Sequence, residues 1–323
     1  MADKVTIATV AAHANVSRQT VSNVLNTPHL VREETRERVR EAIAALGYRA
    51  NQAARLMRTG RSRLLAVRIE PTRDGINGSV LDRFLHGLTE AAAPAGYRIL
   101  LYAAADDRAE IATYDDLLAR YELDGFVLTS THHGDVRTSW LAERGVPFVT
   151  FGRPWGAPDS HPWVDVDNAA GTAAATRHLR EAGHRRIGFI GWPAGSGVGD
   201  ERRSGWANTA GPDHADLDRA TVDGVVEGEA AARDLLSISD PPTALVCASD
   251  SLAVGAYTVA SPGVAIAGFD DTPVARVLGL TSVAQPLAEA AARCVDLLAG
   301  VLDGGTAPRP VLLEPSLVIR QSA

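Results

Sequence analysis

The chain has 323 residues, 46% of them hydrophobic, and a net charge of −7. No apolar run is long enough to span a membrane, and Cys247 and Cys294 are the only cysteines. They read as small apolar core residues in a reducing compartment, which excludes a disulfide scaffold.

Taken in order, the first segment places Ile7, Val10, Ala11 and Ala14 at three- and four-residue spacing behind Thr6, a suitable N-cap. This predicts a short amphipathic helix. Asn15 falls where the chain turns, and Asn tolerates a left-handed backbone. Ser17 caps a second helix with Val21, Val24 and Leu25 facing inward and Arg18, Gln19, Ser22 and Asn23 facing outward. Val16 packs under the turn. A third helix over 33–46 is apolar at Val39, Ile43 and Leu46. Spacing alone fits an ordinary surface helix hairpin as well as a helix-turn-helix. Charge separates the two: residues 1–63 hold eleven basic and five acidic side chains, a balance of +6, so the remainder carries −13. A basic head on an acidic body favours nucleic-acid binding, because phosphate neutralisation supplies most non-specific affinity. Arg can reach guanine through two donors, and Gln or Asn can pair both edge groups of adenine, so the outward face suits the major groove.

Beyond residue 62, short apolar strands are expected at 64–69, 98–103, 125–129, 148–151, 186–190, 244–247 and 264–267, with helices at 80–95, 114–121, 169–182 and 229–236. Such alternation predicts doubly wound parallel sheets, here two α/β lobes with a cleft between them, behind an all-α head. The glycine-rich loop at 191–199 lacks both nucleotide-binding spacings, and no G-x-S-x-G elbow occurs. His132 and His133 beside Asp135 read as solvated loop residues without a further ligand cluster. No enzymatic activity, metal or cofactor is expected.

The stretch VTIATVAAHANVSRQTVSNVLN at 5–26, then GYRANQAARLM, GHRRIGFIG at 183–191, the R-x-x-G-W of 202–206 and GFDD at 268–271, resembles the LacI/GalR-type repressors over nearly the whole chain. The resemblance implies a helix-turn-helix domain at 1–50, a hinge helix and linker at 51–61, and a periplasmic-binding-protein-like effector domain at 62–323. Lobe one would comprise about 62–166 and 285–314, and lobe two about 167–284 and 315–323. DNA contacts are expected at Thr6, Ser17, Arg18, Gln19, Thr20, Ser22, Asn23 and His29. In the hinge they are expected at Asn51, Ala54, Arg55 and Leu56, the last matching a leucine wedged between base steps in the minor groove. Two head positions depart from the pattern: Asn23 stands where Arg is frequent, and Arg32 where a serine caps the third helix.

In the cleft, the resemblance assigns ligand contacts to Arg202 and Asp270, and more weakly to Ser249 and Gln285. Asp250 reads as a brace. Among only seventeen aromatic residues, Trp155, Trp163, Trp192 and Trp206 fall in or beside cleft-bordering loops. An indole stacks on a pyranose face, so Trp192 and Trp155 are candidate contacts to a sugar, whereas Trp206 reads as packing. The body is short after Trp206 and between Tyr257 and Val264, so no ligand contact is assigned near Asp223. The helix expected at 287–302 fits either a dimer surface or packing within lobe one. Without a C-terminal leucine repeat, a homodimer on a pseudo-palindromic operator is expected. The effector would be a mono- or oligosaccharide, with a purine-responsive repressor as the alternative. A solute-binding protein is a more distant reading, because the start Met1–Lys4 is not followed by an apolar export core and a basic head would have no role there; a cytoplasmic protein is expected.

Leu56→Ala is expected to weaken specific operator binding in gel-shift titrations while leaving the urea midpoint of the free protein nearly unchanged. A large loss of stability would make Leu56 a core residue instead.

Overall fold

The computed structural model describes residues 5–48, 60–70, 75–157, 159–305 and 309–323, apart from the side chains at 77, 212, 213 and 215. The chain divides into two compact units, Met1–Ser62 and Arg63–Ala323. No helix among the described residues is long and apolar enough to cross a membrane.

The first unit contains α1 (Ile7–His13), α2 (Arg18–Asn26) and α3 (Glu33–Leu46). Each start has a local cause. Thr6 and Thr9 form a reciprocal capping box, and the Ser17 hydroxyl accepts the Thr20 amide at 3.0 Å. Asn15 turns the chain at φ 52°, and Gly47 ends α3 in the left-handed region. Arg32 occupies the N-cap of α3 but makes no side-chain capping bond, leaving the acidic first turn, Glu33 and Glu34, to complement the helix dipole. Val10, Ala11, Ala14, Val21, Val24, Val39 and Ala42 form the core, with Ile7, Val16, Ile43 and Leu46 packed around it. Leu25, expected inside, is 38% exposed. It lies one residue beyond Val24, and on a nine-residue helix the 100° step carries it out of a stripe that Val21 and Val24 already fill.

The second unit holds two six-stranded sheets. Sheet one has the order β11-β5-β4-β3-β1-β2 and is parallel throughout, built from β1 (Leu64–Ile69), β2 (Arg98–Ala103), β3 (Gly125–Leu128), β4 (Phe148–Phe151), β5 (Trp163–Val166) and β11 (Val311–Leu313). Leu65 and Val67 point to one face, with Phe84 and Leu88 of α4 (Gly75–Ala92) and Ala291, Cys294 and Leu298 of α12 (Leu287–Leu302). Ala66 between them points to the other, with Tyr114 and Leu117 of α5 (Asp107–Tyr121) and Leu141 of α6 (Val136–Glu143). Both faces are covered, as parallel strands require. The 287–302 segment is thus a packing helix of lobe one: a Cβ at Gly87 of α4 would lie 3.1 Å from the Ala288 backbone.

Sheet two has the order β12-β10-β9-β8-β6-β7, from β6 (Ile187–Gly191), β7 (Asp218–Ala220), β8 (Ala244–Cys247), β9 (Ala265–Phe269), β10 (Thr281–Ala284) and β12 (Ser316–Val318). Only β12 is antiparallel, pairing Ser282 with Val318. Its helices are α7 (Asn168–Glu181), α8 (Val198–Ala210), α9 (Val225–Leu236), α10 (Asp250–Val259) and α11 (Pro273–Leu278). Trp206 is buried here, stacked on Phe189 at 5.3 Å, with its indole N–H donated to Ile187 O at 3.0 Å. The chain passes between the sheets at β5 to α7, at β10 to α12 and at β11 to β12.

Close helix crossing fixes the cleft side of lobe two. At Gly205 of α8, a Cβ would lie 2.1 Å from Ala169 O and 2.3 Å from Thr172 Oγ1 of α7. Gly205→Ala should therefore push α8 off α7 and cost about 1–3 kcal/mol, the usual penalty of overpacking, read from the urea midpoint of the full chain. An unchanged midpoint would mean that the pair has slack.

Candidate functional site

In the head, Arg18 and Gln19 of α2 are exposed and Ser22 and Asn23 half-buried. Gln19 Nε2 donates to Asn23 Oδ1 at 2.9 Å, so these two outward residues present one joined amide surface. Thr6, Ser17 and Thr20 are engaged in the two helix caps, and His29 is exposed on the turn Pro28–Leu30. Asn51, Ala54, Arg55 and Leu56 lie outside the described residues.

Between the two sheets lies a cavity of about 350 Å³. Lobe one contributes Glu70 at the end of β1, Leu81 and Phe84 of α4, Thr129 to His132 after β3, Phe151 of β4 and Asp165 of β5; lobe two contributes Asn168, Trp192, Ser196, Val198 and Arg202. Gln285, where the chain crosses between lobes, completes the lining. These positions follow from topology: strand carboxyl ends and the loops after them form the wall of an α/β cleft. Phe84 and Phe151 stack at 4.5 Å and 9°, giving lobe one a flat apolar wall.

Arg202 is the buried centre of the lobe-two wall. Its Nε donates to Asn168 Oδ1 at 2.9 Å, its Nη1 to Ala248 O at 2.6 Å, and its guanidinium lies 3.6 Å from the Phe269 ring centroid. Nη1 is also 3.6 Å from Asp270 Oδ1, which accepts from Gln285 Nε2 at 2.6 Å. Asp270 and Asp271 both have positive φ, 111° and 46°. This strained turn is over-determined: Arg83 of α4 donates to both carbonyl oxygens at 3.1 and 3.0 Å, and Arg320 pairs with Asp271 at 2.5 Å. Asp250 does brace the turn from below, accepting from Thr272 N and Oγ1 and from Ser282 Oγ at 2.6–2.8 Å.

The lobe-one wall rests on a second buried charge system. Arg137, fully buried, pairs with Glu110 at 2.9 Å and Asp135 at 2.7 Å and donates to Thr129 O and Ser130 O. Ser130 has φ 54°, so the arginine holds a strained residue at the cavity edge. Glu110 also takes Arg68 and the hydroxyls of Tyr102 and Tyr114. His132, expected to be solvated, is instead half-buried and bonded to Asp107 at 2.9 Å. Asp107, His132 and Asp135 offer ligand atoms within 4.8 Å of one another. Arg137 already supplies their cation, contacting Asp135 through two nitrogens and Asp107 at 3.5 Å, so the cluster is a closed ion-pair network.

Of the six sequence-assigned contacts, Arg202, Gln285 and Trp192 line the cavity, and Asp270 stands behind the first two. Ser249 caps α10 and donates to Asp223. Trp155 sits at the cleft mouth: its indole donates to Thr131 O at 3.2 Å, and a Cβ at Gly197 of lobe two would lie 2.4 Å from its ring. Beside it, Arg153 joins Asp165 of lobe one at 2.7 Å to Glu201 of lobe two at 2.6 Å. Glu70, Phe84, Phe151, Asp165 and Asn168 were not assigned. Strand-end position was the available signal for Glu70, Phe151 and Asp165.

Several profiles and structures resemble this arrangement. Residues 6–51 match bacterial regulatory proteins of the lacI family, and residues 176–323 match the periplasmic binding protein-like domain. The HTH-type transcriptional regulator CelR of Thermobifida fusca is 34% identical over 98% of both chains. A solved transcriptional regulator CelR–cellobiose complex is 32% identical with a TM-score of 0.73, covering 99% of this chain and 100% of that one. A lac repressor dimer bound to operator and the anti-inducer ONPF shares the fold, with a TM-score of 0.81 at 24% identity over 99% of each chain.

Asp270 also has a pH consequence. Burial above all pushes its carboxyl up to about 7, with Asp250 and Asp223 adding and Arg202 and Gln285 opposing. The folded state therefore binds a proton that the unfolded carboxyl has released above about 4, and stability falls as pH rises from there towards 7. Asp270→Asn should raise the thermal midpoint more at about pH 8 than at about pH 5. An equal change at both values would place Asp270 as an ordinary ionised carboxylate.

Proposed function

Because the chain belongs to the LacI family of bacterial regulatory proteins, we propose that it is a sequence-specific repressor of sugar-utilisation genes whose operator affinity is set by a saccharide held between its lobes. The observation carrying this reading is the cavity itself. A sugar ring has apolar faces and a rim of hydroxyls. The Phe84–Phe151 stack and Trp192 supply apolar surfaces, and Glu70, Gln285 and Arg202 supply acceptors and donors at the edges, the last two held from behind by Asp270. The relative captured with cellobiose makes that disaccharide the first compound to try.

DNA is bound by a homodimer, each head laying α2 in a major groove so that a pseudo-palindromic operator matches the protein's two-fold. Arg18, Gln19, Ser22 and Asn23 read base edges. Asn23, linked to Gln19, favours adenine over guanine at its step. The hinge residues Asn51, Ala54, Arg55 and Leu56 enter the minor groove and bend the duplex. Effector binding changes the lobe arrangement that sets hinge spacing. By linkage, its effect on operator affinity equals the effect of operator on effector affinity.

A thermal-shift screen against mono- and disaccharides, led by cellobiose, tests the reading. A ligand at about 100 times its dissociation constant stabilises by about 2.7 kcal/mol. Arg202→Ala should lose that stabilisation and the effector's influence on operator binding while retaining operator affinity. A response to purines alone, or an Arg202→Ala variant that still responds, would refute the assignment.

A further inference from the structure

We propose that the cleft admits uncharged polyhydroxy effectors and rejects their phosphorylated counterparts, a selectivity that deepens the saccharide reading of the same site. A phosphate monoester brings nearly two negative charges, and proteins meet it with a guanidinium fork, a free cation or open amides at a helix start. Among the described residues bordering this cavity, each guanidinium is already paired with a carboxylate or a carbonyl, although single donors of Arg68 and Arg153 lack partners.

Arg202 presents two adjacent N–H groups along either of two edges, and each edge already has one nitrogen engaged: Nε is given to Asn168 and Nη1 to Ala248 O, with Asp270 beside it and Phe269 across its face. Arg153 is held between Asp165 and Glu201, and Arg68 between Glu70 and Glu110. Arg83 is spent on the carbonyls of Asp270 and Asp271, and His132 on Asp107. Lysine offers no alternative, since the chain's single Lys is Lys4. At each nearby helix start a side chain already takes one or more amides. Gly195 and Gly197 amides before α8 go to the Asp200 carboxylate, and Ser196 takes Gly199. Asp167 takes Ala170 at the start of α7, and Ser249 takes Leu252 at the start of α10. The other carboxylates lining the cavity, Glu70 and Asp165, are the partners of Arg68 and Arg153, with Asp270 immediately behind Arg202. The raised Asp270 carboxyl agrees with this, because a nearby guanidinium does not outweigh burial and the neighbouring carboxylates. Among the described residues, phosphate would meet arginines already paired with carboxylates, and a lining on which Glu70 and Asp165 face the single Arg202.

Tryptophan emission provides the test on the full chain. Its five tryptophans, Trp140, Trp155, Trp163, Trp192 and Trp206, all lie outside the basic head, so phosphate bound there stays silent, while Trp192 lines the cavity. Three matched pairs are titrated: cellobiose and cellobiose 6-phosphate, glucose and glucose 6-phosphate, adenosine and AMP. Each phosphorylated member should bind at least about 100-fold more weakly than a responding neutral partner, or give no saturable change. Tighter binding of either sugar phosphate than of its neutral partner overturns the selectivity and leaves the saccharide reading standing. A response to adenosine with none to the sugars retires the saccharide reading and leaves the selectivity standing. Asp165→Asn removes one of Arg153's two carboxylate partners and one carboxylate from the lining, and should narrow the discrimination by strengthening the response to the phosphorylated members. If that variant discriminates as the wild type does, committed charge is not the cause and the proposal fails.

Discussion

The lobe-two wall depends on a single requirement, that a guanidinium removed from water must have its donors and its charge satisfied. Arg202 meets it by gathering four separate pieces of chain: Asn168 at the start of α7, its own helix α8, the Ala248 carbonyl after β8 and Phe269 at the end of β9. Loss of one partner from such an arrangement is costly because the charge stays behind. The packing obeys the same constraint. Gly205 lets α8 approach α7 closely enough for Nε to reach Asn168, and Gly268 leaves room for the Asp250 carboxylate that holds the following turn.

Lobe one solves the same problem with different residues. Arg137 and Arg68 share Glu110, two tyrosine hydroxyls fill its remaining lone pairs, and the arginine's spare donors grip the backbone at Thr129 and Ser130. Each wall of the cleft therefore contains backbone at positive φ held by an arginine, Ser130 on one side and Asp270 and Asp271 on the other. Strain of this kind persists where surrounding contacts over-determine it.

Much of this was legible in the sequence, and the limits have physical causes. The head could be read because caps, a left-handed Asn and helical periodicity are local signals; Leu25 failed because burial depends on neighbours as well as on period. The longer strands of both sheets showed as apolar runs. The segments β5, β7, β10, β11 and β12 did not: β7, β11 and β12 are three residues long, and β5 and β10 carry polar residues, Asp165 in one and Thr281 and Ser282 in the other, that break an apolar run. Family resemblance pointed to Arg202 and Gln285, and Trp192 stood out as a rare aromatic beside the cleft. It could not find the polar partner Asn168, 34 positions away, or the Phe84–Phe151 wall, because those pairings exist only once strands lie side by side. Trp155, a candidate sugar contact on composition, donates its indole N–H to Thr131 O and packs its ring against Gly197.

The mouth formed by Trp155, Gly197, Arg153 and Glu201 bears on kinetics. Contacts that span both lobes tie the two walls together, and for a solute that needs them to part, entry is a two-step event in which opening precedes encounter. At low solute concentration the observed rate grows with concentration. At high concentration it levels off at the opening rate, whatever the solute, and affinities among related solutes diverge through escape rather than capture.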